Sequence, residues 1–82
     1  MRITVLYFAA LRDLTGKAQE QLHLPDAVTQ VGALAAYMEQ VVPALQGRMA
    51  SVRLARNERF AESSESIAEG DVIALLPPVS GG

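Results

Sequence analysis

The chain has 82 residues, half of them hydrophobic, which predicts one domain with a thin core, because small domains bury only about 60% of the surface that their unfolded chains expose. A net charge of -2 argues against nucleic acid as a partner, since phosphate backbones are bound by clustered Lys and Arg. The absence of cysteine excludes disulfides, thiolate metal ligands and Cys nucleophiles.

The chain begins with two predicted strands. Residues 3–9 are apolar on both alternating faces except for Thr4, a pattern typical of a central strand covered on both sides. No element is predicted for residues 12–16, which bring polar residues and a glycine. Residues 19–24 alternate partly and end at a proline, which predicts a second, more exposed strand with His23 facing solvent.

One amphipathic helix is predicted next. Apolar residues recur at helical spacing from Val31, with Thr29 placed as the N-cap and Pro43 as the stop. Gly32 inside the helix costs up to about 1 kcal/mol relative to Ala. Either the helix packs closely at Gly32 or its start is slightly misplaced. The residues expected to pack onto the sheet are Val31, Leu34 and Met38.

A short hairpin and a last strand complete the predicted elements. Residues 51–55 alternate, Asn57–Glu58 is a polar turn candidate, and Phe60 follows. Three arginines of this hairpin could form a positive patch, but we interpret them as a solvated hairpin edge: Arg53, Arg56 and Arg59. After a tight turn at 69–71, residues 72–76 are apolar on both faces and predict a second central strand.

The order of these elements predicts an α+β fold. The first and last strands are the most apolar and are expected to be parallel neighbours, joined through a helix that covers one face of a mixed sheet. This arrangement is the ubiquitin-like β-grasp fold. Residues 1–76 are expected to form the β-grasp domain and residues 77–82 an extended C-terminal tail.

The tail has the composition of an insertable arm. Pro77 and Pro78 fix φ and exclude helix, while Gly81 and Gly82 lack a Cβ, so a stiff base carries a slender tip suited to a narrow active site. The group available for chemistry would be the terminal carboxylate of Gly82. A carboxylate is a poor electrophile, but adenylation would open its carbonyl to a sulfur donor and yield a thiocarboxylate. The alternative is an inert, frayed end.

The whole chain resembles the small subunits of molybdopterin synthase, a ubiquitin-like sulfur-carrier family. The resemblance is carried by Phe8-Ala-Ala-Leu-Arg12 with Gly16, by Asn57, by Gly70-Asp71 and by Leu76-Pro-Pro-Val-Ser-Gly-Gly82.

That resemblance implies a role in molybdenum cofactor biosynthesis. An E1-like enzyme would use ATP to adenylate Gly82, and a sulfur donor protein would lead to the thiocarboxylate, while the chain itself binds no cofactor or metal. The tail segment that would enter the large subunit comprises Pro77, Pro78, Val79, Ser80 and Gly81. Sulfur would pass there to cyclic pyranopterin monophosphate. The chain would thus be the non-catalytic subunit of a sulfurtransferase that contains two kinds of subunit and assembles as a heterotetramer.

The family's docking surface is hydrophobic and carries over to Phe8, Phe60 and Leu76. Leu76 departs from the aromatic residue that some members place there. For both phenylalanines the alternative is a place in the core, although the polar neighbours of Phe60 favour a partner pocket.

Other functions and sites were weighed against this one. Sulfur delivery to thiamine or to tRNA, protein modification through Gly82, and a purely structural domain remain open alternatives. No autonomous active site is predicted, because the acidic residues are scattered and four serines lack a plausible base: Ser63, Ser64, Ser66 and Ser80. No apolar run approaches the roughly 18 residues of a membrane span and no signal peptide is evident, so we expect a cytoplasmic protein without a membrane partner.

Overall fold

The computed structural model describes residues 1–78. These residues form a five-stranded sheet in the order β2-β1-β5-β3-β4. The strands are β1 (Arg2–Tyr7), β2 (Gln19–His23), β3 (Arg53–Arg56), β4 (Arg59–Phe60) and β5 (Val72–Leu76). The helices are α1 (Ala10–Thr15) and α2 (Val31–Val41), with 3-10 turns at Pro43–Leu45 and Met49–Ser51. Within residues 1–78 no helix is long and apolar enough to cross a membrane.

The two most apolar strands lie side by side at the centre of the sheet. β1 and β5 are parallel, with Val5 opposite Ile73, while β2 pairs antiparallel with β1 and β3 pairs antiparallel with β5. A parallel pair needs a long crossover, and α2 lies in that crossover. The predicted mixed sheet, its parallel central strands and the α+β β-grasp class are confirmed.

The core lies between the sheet and α2. The inward side chains of β1 and β5 pack with the apolar stripe of the helix, so the predicted packing of the helix is confirmed. The residues without measurable exposure are Val5, Leu34, Met38, Leu45, Ile73 and Leu75. Burying one such side chain contributes about 1.5–3 kcal/mol, so this single layer accounts for much of the stability.

The other face of the sheet is open, which contradicts the prediction that the central strands are covered on both sides. Leu6 and Ala74 are only half-buried, and Val72 is exposed. An apolar face normally indicates a covering layer, but the one main helix of the described chain lies on the opposite face. The sheet therefore presents apolar side chains that no described element of the chain covers.

The short helix α1 was not predicted. It ends at Thr15 and is capped by Gly16, which has a φ of 75° and donates its N–H to the carbonyl of Arg12. Six residues are too few for an apolar period to emerge, and Leu11 is the one residue of α1 that is buried. Tertiary packing of that leucine, rather than sequence pattern, distinguishes this helix from a loop.

The predicted N-cap of α2 is wrong by one residue. Gln30, not Thr29, occupies the N-cap position, and its side chain makes no capping hydrogen bond. The first N–H of the helix, from Val31, instead donates to the carbonyl of Glu65 at 2.9 Å. A distant loop thus satisfies a helix terminus that the sequence assigned to a local side chain.

Gly32 marks a close approach between α2 and the same loop. Its N–H donates to the carbonyl of Ser63 at 2.9 Å, and a Cβ at this position would lie 3.1 Å from the Ser63 Cβ. Close packing, the first explanation considered for this glycine, is therefore correct, and the start of the helix is in addition misplaced by one residue.

A buried carboxylate holds the β3–β4 hairpin against the start of β5. Asp71 is 6% exposed and accepts hydrogen bonds from Arg56 Nε, from Asn57 Nδ2 at 3.0 Å and from the Ala68 N–H at 2.8 Å. Burial by itself would raise the pKa of Asp71, but the hydrogen bonds from Arg56, Ala68 and Asn57 outweigh it and lower the pKa below its ordinary value. Arg56 also pairs with Glu65 at 3.3 Å.

The turn of this hairpin requires an unusual backbone. Asn57 and Glu58 both have positive φ, 50° and 73°, as two-residue hairpin turns of type I′ do. The Asn57 N–H donates to the Val72 carbonyl at 2.8 Å, and the Val72 N–H donates to Asn57 Oδ1 at 2.9 Å. The predicted turn is confirmed, and Asn57 additionally joins it to the central strand.

Replacing Asp71 tests how strongly this cluster stabilises the fold. Asp71→Ala should lower the free energy of unfolding by about 2–3 kcal/mol, because three donors, one of them charged, lose their acceptor. Urea denaturation at neutral pH measures the change. Asp26→Ala, which removes an exposed carboxylate, is the matched control and should change little; equal stability of the two variants would contradict this account.

The same carboxylate predicts a loss of stability in acid. Because the folded-state pKa of Asp71 is lowered, its contribution is complete above about pH 5 and is lost as the pH falls below about 4, the ordinary pKa of Asp. The difference in unfolding free energy between wild type and Asp71→Asn should therefore shrink as the pH drops from 6 to 3, roughly the range that spans this titration. A difference that stays constant over that range would refute the assignment.

Candidate functional site

The open face of the sheet contains a shallow apolar groove of ≈ 550 Å³. We call it the outer groove and define it by Leu6, Phe8, Phe60, Val72, Ala74 and Leu76. Asn57 and Glu58 of the hairpin turn contribute polar groups at its margin. The groove therefore offers an apolar floor with a small polar rim, which is the composition of a protein-docking surface.

Strand register explains why residues so far apart in the sequence share this face. Leu6 lies opposite Ala74, Ala55 lies opposite Phe60, and Leu76 is the last residue of β5. Side chains alternate between faces with a period of two, so Leu6, Ala74 and Leu76 point the same way. Leu6, Phe60 and Leu76 come to the same face only because β1, β5, β3 and β4 pair in this register.

The structure brings together the three residues predicted to contact a partner. Phe60 is 60% exposed, Phe8 is 43% exposed, and Leu76 is half-buried beside them. Neither phenylalanine belongs to the core, so the core alternative is wrong for both. Their role in docking stays a prediction, while their placement on one face is a property of the fold.

The three hairpin arginines separate onto different surfaces. Arg53 lies on the open face with its guanidinium 3.8 Å from the centroid of the Phe60 ring, the geometry of a cation–π contact. Arg56 lies on the other face and is ion-paired to Asp71 and Glu65, so describing it as solvated is wrong. The hydrogen bonds that Arg56 donates, first to Asp71 and second to Glu65, raise its pKa. Arg59 is exposed.

The tail leaves the sheet at the end of the outer groove. Pro77 is half-buried and Pro78 is exposed, and both lie near Leu14 of α1 and Val52 before β3. The remaining predicted tail residues, Val79, Ser80, Gly81 and Gly82, lie outside the described residues. The base of the predicted arm directly follows Leu76, which lines the outer groove.

The described residues show no catalytic constellation. Among residues 1–78 no group of three His, Cys, Asp or Glu side chains could hold a metal ion. His23 is exposed on the edge strand β2, as predicted. Burial raises the pKa of Tyr7, and the hydrogen bond that its hydroxyl donates to Glu20 raises it further, so this phenol stays protonated at neutral pH. What the described part of the chain offers is a surface and the base of an arm.

Sequence reasoning missed two parts of the site. The floor residues Leu6, Val72 and Ala74 were assigned to buried strands, and the contact between Arg53 and Phe60 was not anticipated. The sequence did contain a signal for this floor. Two strands that are apolar on both faces were predicted together with a single helix, and one helix can cover only one face of a sheet. Nothing in the sequence placed Arg53 beside Phe60, because their contact depends on the hairpin register.

These features define a ubiquitin-like β-grasp domain with an exposed apolar face beside a Pro-Pro arm. The chain belongs to the ThiS family, which it matches over residues 5–82. The molybdopterin synthase sulfur carrier subunit of Chlamydomonas reinhardtii is 33% identical over 87 residues, covering 100% of both chains. The resemblance to molybdopterin synthase small subunits is confirmed.

Solved structures share the fold over the whole chain. The small archaeal modifier protein 1 of Haloferax volcanii has a TM-score of 0.85 and 29% identity, with 100% of each chain covered. A protein–protein complex of subunits 1 and 2 of the molybdopterin-converting factor of Helicobacter pylori contains a chain with a TM-score of 0.72 and 23% identity, again with 100% coverage of each. The latter likeness concerns the fold alone.

Proposed function

We propose that this chain is a sulfur carrier in molybdenum cofactor biosynthesis that delivers sulfur as a thiocarboxylate on Gly82. The observation that carries the proposal is the family match, which runs through the last residue and so includes the Gly-Gly end. The relative from Chlamydomonas reinhardtii bears the name of a sulfur carrier subunit and aligns over the full length of both chains. The position of Pro77 and Pro78 at the end of β5 supports it, since an arm there starts from a rigid strand.

The chemistry follows from the terminal carboxylate. One of its oxygens attacks the α-phosphate of ATP in an E1-like enzyme, releasing pyrophosphate and forming an acyl adenylate. A persulfide on the sulfur donor protein then attacks the acyl carbon and AMP departs, which leaves an acyl disulfide. A second thiol attacks the donor sulfur of that S–S bond, so that the donor departs as a disulfide with the second thiol and the thiocarboxylate is released. The sequence contains no cysteine, so no thiol side chain can carry the sulfur. We also propose that the protein acts in the cytoplasm, where ATP is available to the activating enzyme.

The catalytic groups of the transfer would belong to the partners. The large subunit of molybdopterin synthase would bind the outer groove and receive the tail, and sulfur would pass to cyclic pyranopterin monophosphate within it. A large-subunit partner is supported by the relative's name, which describes one subunit of a synthase. The exposed rings of Phe8 and Phe60 provide the apolar area that such docking would bury.

A second candidate is a protein modifier that forms isopeptide bonds through Gly82. It is favoured by the likeness to the archaeal modifier protein. Both functions begin with the same adenylate and differ in the nucleophile, a sulfur donor in one and a lysine amine in the other. A ladder of lysine conjugates in cell extract would identify the modifier, whereas carrier function produces none.

Altering Gly82 tests the carrier chemistry. Deleting Gly82, or appending one residue after it, should abolish sulfur loading, since the acyl carbon would no longer stand where the activating enzyme acts. Gly82→Ala keeps the carboxylate but adds a β-carbon and restricts φ, so it should slow loading rather than remove it. Intact-protein mass spectrometry after incubation with the E1-like enzyme, ATP and a sulfur donor would detect one terminal oxygen replaced by sulfur.

Thermal melting of the Gly82 variants provides the control. Their melting temperatures should match that of wild type, because a terminal residue contributes little to folding. A wild-type protein that remains folded and partner-bound but never gains sulfur would refute the carrier mechanism.

Phe60→Arg tests the docking face. The ring is 60% exposed, so the variant should remain folded, yet binding to the large subunit should weaken by about 2 kcal/mol or more, as is common for an aromatic anchor. Calorimetry measures the affinity, and circular dichroism checks the fold. Val41→Arg is the matched control, because Val41 is also an exposed apolar residue but lies on α2. Equal effects of the two substitutions would show that the outer groove is not the docking site.

A further inference from the structure

Arg53 occupies a distinctive position on the open face. It lies opposite Leu76, at the point where the tail leaves the sheet, and its guanidinium stacks 3.8 Å from the centroid of the Phe60 ring. The side chain thus touches the most exposed aromatic residue of the outer groove while standing beside the base of the tail.

The charge of Arg53 is not neutralised within the described chain. Among residues 1–78 no carboxylate lies within ion-pair distance of Arg53, whereas Arg56 pairs with both Asp71 and Glu65. The two arginines belong to the same strand and differ in the face that they occupy. The two carboxylates that form ion pairs with β3 within residues 1–78, Asp71 and Glu65, therefore serve the other face.

Docking on the outer groove cannot bury Phe60 without also affecting Arg53. A partner that covers the ring removes water from the guanidinium lying against it, and a charge taken out of water destabilises the complex unless it is paired and hydrogen-bonded. We propose that Arg53 determines partner specificity, and that the partner surface places a carboxylate against this guanidinium beside the point where the tail enters. This inference rests on the proposed docking of the large subunit.

The stacked arrangement makes arginine more suitable than lysine at this position. A guanidinium lying flat on a ring keeps N–H groups free around its edge, where a carboxylate can accept two parallel hydrogen bonds. The contact with Phe60 also restricts the side chain before docking, which reduces the conformational entropy lost on binding. Partners with an apolar surface but without the carboxylate are disfavoured, because they would desolvate the cation without compensation.

The experiment compares the affinity of Arg53 variants for the purified large subunit of molybdopterin synthase from the same organism. Arg53→Met keeps an aliphatic stem without charge and should raise Kd about tenfold or more, as loss of one member of a covered charge pair does. Arg53→Glu should weaken binding further, because it places two carboxylates together, and Arg53→Lys should fall between wild type and Arg53→Met. Wild-type affinity should also fall more steeply with added salt than that of Arg53→Met.

Two controls accompany these measurements. Arg59→Met removes the same charge from the neighbouring strand, where the side chain is exposed and lies opposite Arg56, and should change Kd by no more than about threefold. In a Phe60→Leu background the effect of Arg53→Met should become smaller, because the ring no longer positions the guanidinium. Melting temperatures should be alike for all Arg53 variants.

The possible outcomes separate this inference from the proposed function. If Arg53→Met binds as tightly as wild type, or if Arg53→Glu binds no more weakly than Arg53→Met, the inference is overturned while carrier function stands. If wild type has no affinity for the large subunit, the docking part of the proposed function fails and this inference fails with it. Sulfur loading of Gly82 in wild type, measured separately, decides the carrier chemistry in either case.

Discussion

The carboxylate of Asp71 joins two segments that are distant in the sequence, the β3–β4 hairpin and the loop before β5. It accepts hydrogen bonds from the hairpin through Arg56 and Asn57 and from the loop before β5 through Ala68. These contacts hold the β3–β4 hairpin at the side of the central strand, and Phe60 lies at the end of that hairpin. The outer groove therefore depends on a buried charge cluster on the opposite face of the sheet. A docking surface with exposed aromatics can stay in place because polar contacts elsewhere hold its backbone.

The single helical layer accounts for both the thin core and the open face. Helix α2 covers one side of β1 and β5, and the described chain places no second layer over Leu6 and Ala74. An exposed apolar face reduces solubility and adds nothing to the stability of the isolated domain. Such a face is retained most readily where a partner covers it. Because the chain has only one helical layer, its core is small and one face of its sheet is left free for interaction with a partner.

Two parts of the chain would have separate roles in the proposed function, the exposed apolar surface and the C-terminal arm. The surface would select the partner through Phe8, Phe60 and the charge of Arg53, while the arm would present one carboxylate to successive active sites. The domain needs no catalytic side chain for this work, and the buried Tyr7 and exposed His23 are consistent with structural and solvated roles. Specificity and reactivity would therefore be carried by different parts of the chain, and substitutions should separate them.

The sequence by itself determined the elements with a strong local signal. The apolar runs of β1 and β5, the helical period of α2 and the turn at Asn57 were all recognisable because each is set by neighbouring residues. The grouping of Phe8, Phe60 and Leu76 was predicted from a family resemblance, and no local pattern could have produced it. Only the tertiary structure decided that these residues share one face, that loop carbonyls cap α2, and that Arg53 stacks on Phe60 while Arg56 pairs with Asp71. The physical reason is that these contacts depend on strand register and on residues brought together from distant segments, which a local pattern does not specify.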